Sequence, residues 1–194
     1  MKTRKKLIKL PTEQEINAEI ERLRDNARYR NALAGTFRIV ITAAAISVLI
    51  ATFLLSALQV QGSSMSPTLE NGQIVLVIQK DDMKQGDLTA FYYGEKLLIK
   101  RCIAGPGQWV DIDEEGNVYV NDVLLDEPYV YEKSPGESDI EFPYQVPENR
   151  WFMMGDNRSV SLDSRSNEIG CIAQEQILGT VAFRVWPLDK LSVM

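Results

Sequence analysis

Residues 39–58, IVITAAAISVLIATFLLSAL, are twenty positions without a charge, and no second run of that length follows. At about 1.5 Å per residue, a helix of that length spans a hydrocarbon core of about 30 Å. A helix buried inside a soluble domain would need more core than a small domain offers. A cleaved signal peptide has a shorter apolar region behind a short basic head, whereas 38 residues precede this one. The reading is a retained, single transmembrane helix over 39–58. Upstream, PTEQEINAEIERLRDNARYRNALAG sets Thr12 and Glu15 in capping-box spacing and repeats Ile16, Ile20, Leu23 and Ala27 at helical intervals. It predicts a solvated or membrane-surface helix closing near Gly35. Beyond residue 60 the pattern changes to short runs rich in β-branched and aromatic residues. QIVLVIQ (73–79), LTAFYY (88–93), KLLIKRCIA (96–104), QWVDID (108–113), NVYVND (117–122), RWFMMG (150–155) and ILGTVAFRVWP (177–187) read as strands. A hairpin turn is expected around Glu115–Asn117, and 133–149 is loop-rich. The fold class is therefore mainly β: a single N-terminal transmembrane helix, then an antiparallel β-sheet or barrel-like domain over 60–194. Residues of about 108–149 supply a small β cap.

Charge orients these parts. Residues 1–38 carry ten Lys/Arg against five Asp/Glu, a net of +5, while the remainder is at −11. Basic residues beside a span stay in the cytoplasm. The tail is thus expected inside, and residues 60–194 on the extracytoplasmic face of the lipid bilayer. An acidic domain without a basic stripe argues against nucleic acid as a partner. Cys102 and Cys171 both lie in the outer domain, where a disulfide is permitted. Two independent small core residues are the favoured alternative.

The chain has no histidine, which excludes a Ser-His-Asp triad and His-ligated zinc, and two cysteines cannot build a four-thiolate zinc site. No metal or cofactor is expected. Just past the apolar run stands QGSSMSPTLENG (61–72), with Ser63, Ser64 and Ser66. A serine nucleophile here needs another base, and lysine is the known alternative. Deprotonating a free lysine, with a pKa of about 10.4, costs roughly 4.6 kcal/mol at pH 7. Only burial among apolar groups removes that cost. Lys100, between Leu97, Leu98, Ile99 and Ile103, is the candidate. Lys80, beside two acids in VIQKDD, has its charged form favoured and is a poor base.

GSSMSPTL after an apolar run, then IKRCIAGPG, then MMGDNRSVSLDSR, in that order and spacing, resembles bacterial type I signal peptidase, the serine–lysine family that removes signal peptides from exported proteins. NGQIVLV, GDLTAFYY, VYVNDVLLDEPY, VPENRWFMMGDNR and GTVAFRVWP extend the likeness over Val60–Pro187. The resemblance implies Ser64 as nucleophile, being the Ser directly before Met, and Lys100 as base. It implies Ser161 as the hydroxyl that orients the Lys. Asp156, Arg158, Asp163 and Arg165 match the box's charged residues and read as a structural buttress. Arg101, on the face of its strand opposite Lys100, is expected to join them. By analogy Val60, Met65, Leu69, Leu98 and Ile99 line two shallow substrate pockets suited to Ala-x-Ala. The Ser64 backbone N–H is the implied oxyanion donor, because Gly62 stands where some members carry a helping Ser. CIAGPGQ also departs from the family's VIGLPGD-like turn at Ala104, Gly105 and Gln108. The implied partners are signal peptides of preproteins and the bilayer, near the secretion translocon, in a bacterial cytoplasmic membrane. Another serine–lysine peptidase of the same fold, of the conjugation type, and a non-catalytic tethered β module are the alternatives. A self-cleaving repressor would carry a DNA-binding domain and no span.

Overall fold

The computed structural model describes residues 12–80 and 83–194. It divides into two compact units that meet in sequence at Ala51 and Thr52. The first holds all but the last three residues of α1, Glu13–Leu54, a helix of 42 residues and so about 63 Å long. Thr12 occupies the position before it, and its carbonyl accepts the Ile16 N–H at 3.1 Å. Gly35 does not end the helix, contrary to the sequence reading. A lone glycine costs a helix only about 1 kcal/mol, and no proline follows to break the ladder. Around it Thr36, Thr42 and Ser47 turn their hydroxyls onto the carbonyls four residues back. The helix holds an 18-residue window of mean hydropathy 1.9, long and apolar enough to cross a membrane. Ile39, Val40, Val48 and Leu49 are exposed along it, which suits a lipid solvent rather than a protein core.

The apolar run is not helical to its end. Leu55–Gln59 form strand β1, paired antiparallel with β2 (Ile74–Ile78) from Leu55↔Ile78 to Gln59↔Ile74. Periodicity alone cannot separate a short apolar strand from the last turns of a helix, and here the ladder with β2 takes the segment. Ser64 therefore lies ten residues past the helix end at Leu54, not six past an end at Leu58.

The other strands are β3 (Leu88–Tyr93), β4 (Lys96–Ala104), β5 (Trp109–Ile112), β6 (Val118–Val120), β7 (Val123–Leu124), β8 (Tyr144–Gln145), β9 (Arg150–Met154), β10 (Ile172–Ala173), β11 (Ile177–Trp186) and β12 (Ser192–Val193). All pairings are antiparallel. The larger sheet runs β1-β2-β11-β3-β4-β9-β10, with β12 on β11, and the smaller runs β7-β6-β5-β8. The smaller sheet lies within the expected accessory segment. Its β5–β6 turn is closed by Asn117 N–H on Asp113 Oδ1 at 2.8 Å, with Gly116 at a φ of 81°.

Strand alternation sets the core. Val75 and Val77 are buried, while Ile74, Leu76 and Ile78 face the other way and stay half-buried. Each fully buried Val, Leu or Phe contributes about 1.5–3 kcal/mol. One cluster gathers Val60, Met65, Leu69, Val75, Val77, Leu88, Ala90 and Val181 beneath the serine loop. A second joins the two sheets through Ile103, Val110, Val118, Phe152 and Cys171. Cys102 belongs to a third, with Phe91 and Met153, and both cysteines are free thiols. Burial pushes Cys102 up to about 12 and Cys171 up to about 11, so neither offers a thiolate nucleophile at neutral pH.

Candidate active site

Two segments distant in sequence meet at the Lys100 amine, and a third, the serine turn, packs against one of them. Lys100 sits in β4 and is 4% exposed. Burial disfavours its ammonium and lowers its pKa from 10.5 to about 8. Asp163 and Asp156 oppose that shift, and Arg165 adds to it. About one amine in ten is then neutral at pH 7. Its Nζ donates to Ser161 Oγ at 2.7 Å, which fixes the direction of the amine.

Ser64 lies in a turn that follows β1, closed by Ser66 N–H on Ser63 O and Leu69 N–H on Met65 O. It is half-buried. Its carbonyl accepts the Asn157 N–H at 3.0 Å, and Asn157 Nδ2 reaches Ser63 O at 3.3 Å. The loop that carries Ser161 thus holds the backbone of the serine turn directly. Gly155 is the closest point between them. A Cβ there would stand 2.2 Å from Ser161 Oγ and 2.5 Å from Ser64 O, so only glycine fits. The Ser64 N–H makes no hydrogen bond among the described residues and is free to donate.

The charged residues of the box are almost wholly buried and fully paired. Arg101 lies bidentate on Asp156, at 2.8 and 2.6 Å, and also donates to Gly86 O. Arg165 contacts both Asp163 oxygens and donates to Pro135 O, Arg158 O and Ser161 O. Asp163 Oδ2 also accepts the Gly155 N–H at 3.0 Å. No buried side-chain N or O among the described residues lacks a partner. A buried charge is tolerated on those terms and otherwise costs several kcal/mol.

A cleft of about 460 Å³ opens at Ser64 and Lys100, lined by Leu58–Gly62, Met65 and Lys96–Ile99. One wall is the first half of β4. That half pairs with β3, but on its other side pairing with β9 begins only at Arg101. A hydroxyl and a partly neutral amine on such a cleft can carry acyl transfer from an extended peptide.

The profile described as "Signal peptidase, peptidase S26" matches residues 33–186. The chain belongs to this signal peptidase family. It is a serine peptidase, a hydrolase. A signal peptidase I from Bacillus licheniformis is 32% identical over 175 residues, covering 84% of this chain and 93% of that one. Signal peptidase I T of Bacillus subtilis (strain 168) is 33% identical over 166 residues, covering 78% and 84%. A crystal structure of a signal peptidase I from Enterococcus faecalis V583 aligns with a TM-score of 0.44 at 26% identity, over 51% of this chain and 96% of that one.

In this signal peptidase family member, Val60, Met65, Leu98 and Ile99 lie along the cleft with Ser64 and Lys100. Leu69 does not. It is 0% exposed and packs in the core below, because the helical turn from Met65 points it inward. Gly62 adopts a φ of 84°, a conformation that would strain a serine, and its N–H donates to Asn71 Oδ1. The divergent turn after Lys100 has its own closure. Gln108 Oε1 accepts the Gly105 N–H at 2.6 Å, and a Cβ on Gly105 would meet the Trp151 ring at 2.8 Å. Sequence reasoning missed Gly155, Asn157 and Glu127. Glu127 pairs with Arg158, both side chains 0% exposed. The available signal was the arithmetic of the box: with Asp156 and Asp163 claimed by Arg101 and Arg165, Arg158 still needs a carboxylate.

Proposed function

We propose that the chain removes N-terminal signal peptides from exported preproteins, with Ser64 as nucleophile and Lys100 as general base. The observation that carries this reading is the buried Lys100 amine, aimed by Ser161 and opening on the same cleft as Ser64. Ser64 Oγ attacks the carbonyl before the cleavage site, and Lys100 Nζ takes the hydroxyl proton. The C–N bond breaks as Lys100 returns that proton to the leaving amine. Lys100 then takes a proton from water, which attacks the acyl-enzyme carbonyl; the C–Oγ bond breaks as Lys100 passes that proton to Ser64 Oγ, restoring both groups. The Ser64 N–H stabilises the oxyanion. Hydrogen bonds between reacting groups tighten when substrate binds, so a Ser64–Lys100 contact belongs to the complex.

The substrate adds as a strand along the free half of β4, with Val60, Met65, Leu98 and Ile99 receiving its alternate side chains. Their small apolar space supports a preference for Ala-x-Ala. Lipid is the second partner. Leu55, Ala57, Leu76, Phe183, Trp186 and Val193 fall on one face of β1-β2-β11-β12, opposite buried Val75, Val77 and Val181. Phe183, Trp186 and Val193 are 40%, 51% and 77% exposed. An apolar face on a sheet whose first strand follows the spanning helix without a linker supports contact with a bilayer surface. The charge split supports a cytoplasmic tail, residues 60–194 outside, and work beside the translocon from which signal peptides emerge.

Cleavage of a reporter preprotein by the full chain in detergent tests the assignment. Ser64→Ala and Lys100→Ala abolish cleavage, while Ser63→Ala and Ser66→Ala keep most of it. Near-normal turnover by Ser64→Ala would falsify the nucleophile.

A further inference from the structure

Glu127 comes from the segment after β7, far from the serine and lysine motifs. Its side chain is wholly buried, and both oxygens accept from Arg158: Oε2 from Nη1 at 3.2 Å and Oε1 from Nη2. Arg158 Nε in turn donates to the carbonyl of Gly155 at 3.1 Å. Gly155 is the residue against which Ser161 Oγ and the Ser64 carbonyl pack with no room for a methyl group. Two residues on, Tyr129 donates its hydroxyl to Glu127 Oε1 at 3.1 Å. The Tyr129 ring lies under Arg101, 3.7 Å from guanidinium to centroid, and Arg101 grips Asp156. Glu127 and Tyr129 therefore reach both Gly155 and Asp156, each through one arginine.

We infer that Glu127 is a positioning residue of the active site: it holds Arg158, and through Arg158 the Gly155 carbonyl, so that Ser161 and the Ser64 turn keep their places about Lys100. This rests on the proposed Ser64–Lys100 chemistry. The alternative use of such a pair is purely structural. A buried ion pair is weak evidence for stability, since apolar or neutral replacements of both partners are often as stable. A merely structural Glu127 would have its loss repaired by neutralising Arg158 as well. A positioning Glu127 would not, because the Gly155 carbonyl would still lose the grip of a fixed guanidinium. Distortion beside the reacting atoms affects the transition state more than the distant peptide contacts, so the rate should move and binding should not.

The test is steady-state cleavage of a reporter preprotein by the full chain in detergent, with thermal midpoints measured in parallel. Glu127→Gln is expected to lower kcat about 10–100-fold with KM within about threefold. Glu127→Gln/Arg158→Gln is expected to regain the thermal midpoint but not kcat. Tyr129→Phe, which removes one hydrogen bond to Glu127 and no charge, is expected to stay folded and lose about 2–5-fold in kcat. Recovery of kcat together with the midpoint in the double variant would overturn the inference. So would wild-type kcat in Glu127→Gln. If Glu127→Gln does not fold, an unchanged kcat in Tyr129→Phe overturns it. The Ser64→Ala control keeps the two ideas apart. A wild type that cleaves no preprotein, or a Ser64→Ala that cleaves it, sinks the underlying chemistry instead.

Discussion

Lys100→Met replaces a buried amine by an apolar side chain of similar length, and its effect on stability should reverse with pH. In the native state Lys100 titrates at about 8 against an ordinary 10.5. The unfolded chain therefore binds this proton more tightly than the native state. Below pH 8 the native state bears the whole cost of an ammonium out of water, about 3 kcal/mol at 1.36 per unit. Between pH 8 and 10.5 the unfolded state holds more protons, so this group makes stability rise with pH. Above 10.5 both states are neutral and the cost is gone. Methionine removes the cost at every pH but also removes the bond to Ser161 Oγ, worth about 1 kcal/mol or more. At pH 7 the variant should be more stable by about 1–2 kcal/mol. At pH 10.5 it should be less stable by about 1 kcal/mol. Denaturant unfolding in detergent, followed by fluorescence of Trp109, Trp151 and Trp186, reads this directly, since all three tryptophans lie in the β domain. Other titrating groups cancel in the difference between the two proteins. Curves that stay parallel from pH 7 to 10.5 would refute a buried, depressed lysine, and with it a lysine base.

Ser161→Ala should lower kcat by about 10–1,000-fold with KM little changed, the scale of a lost orienting contact. The acidic limb of the wild-type kcat/KM profile should bend near pH 8, where Lys100 loses its proton, and a rate still climbing tenfold per unit at pH 10 contradicts that. Gly155→Ala should cost at least about 100-fold in kcat while binding of a signal peptide persists, because its methyl displaces Ser161 and Ser64 together. Protease added to spheroplasts should reach residues 60–194 and spare the tail, and the opposite pattern overturns the orientation.

The strands most legible in the sequence were those bounded by strong turn residues. LTAFYY and KLLIKRCIA are β3 and β4 to the residue, because Gly86-Asp87 and Gly94-Glu95 punctuate them. The two-residue strands β7, β8, β10 and β12 escaped, since a pair of residues carries no period. Residues 55–58 read as helix in the sequence because apolarity is common to a spanning helix and a core strand, and only the partner strand separates them. The motifs around Ser64, Lys100 and Ser161 were legible in the sequence because each has distinctive neighbours; the structure brings Lys100 and Ser161 into contact and sets Ser64 on the cleft that Lys100 lines. Glu127 was not, since an acidic residue in LLDEPY looks like any solvated loop carboxylate. Its meaning depends on a partner 31 residues away.

The adjacent pair Lys100-Arg101 shows why the register of β4 matters more than its composition. Lys100 lies opposite Thr89 and Arg101 opposite Leu88, so the two cations leave opposite faces of one strand. One enters apolar surroundings where charge is costly, and the other meets Asp156, Gly86 O and the Tyr129 ring. Lysine can escape its cost by giving up the proton, and arginine cannot. A slip of one residue would put the guanidinium in the cleft and the amine in the ionic buttress, where it would stay charged. The pairing of β4 with β3 and then β9 prevents that slip. Among the described residues the burial that lowers the pKa of the Lys100 amine is therefore a consequence of sheet register, and the paired arginines around it are what allow the strand to hold an amine that would be more stable in water.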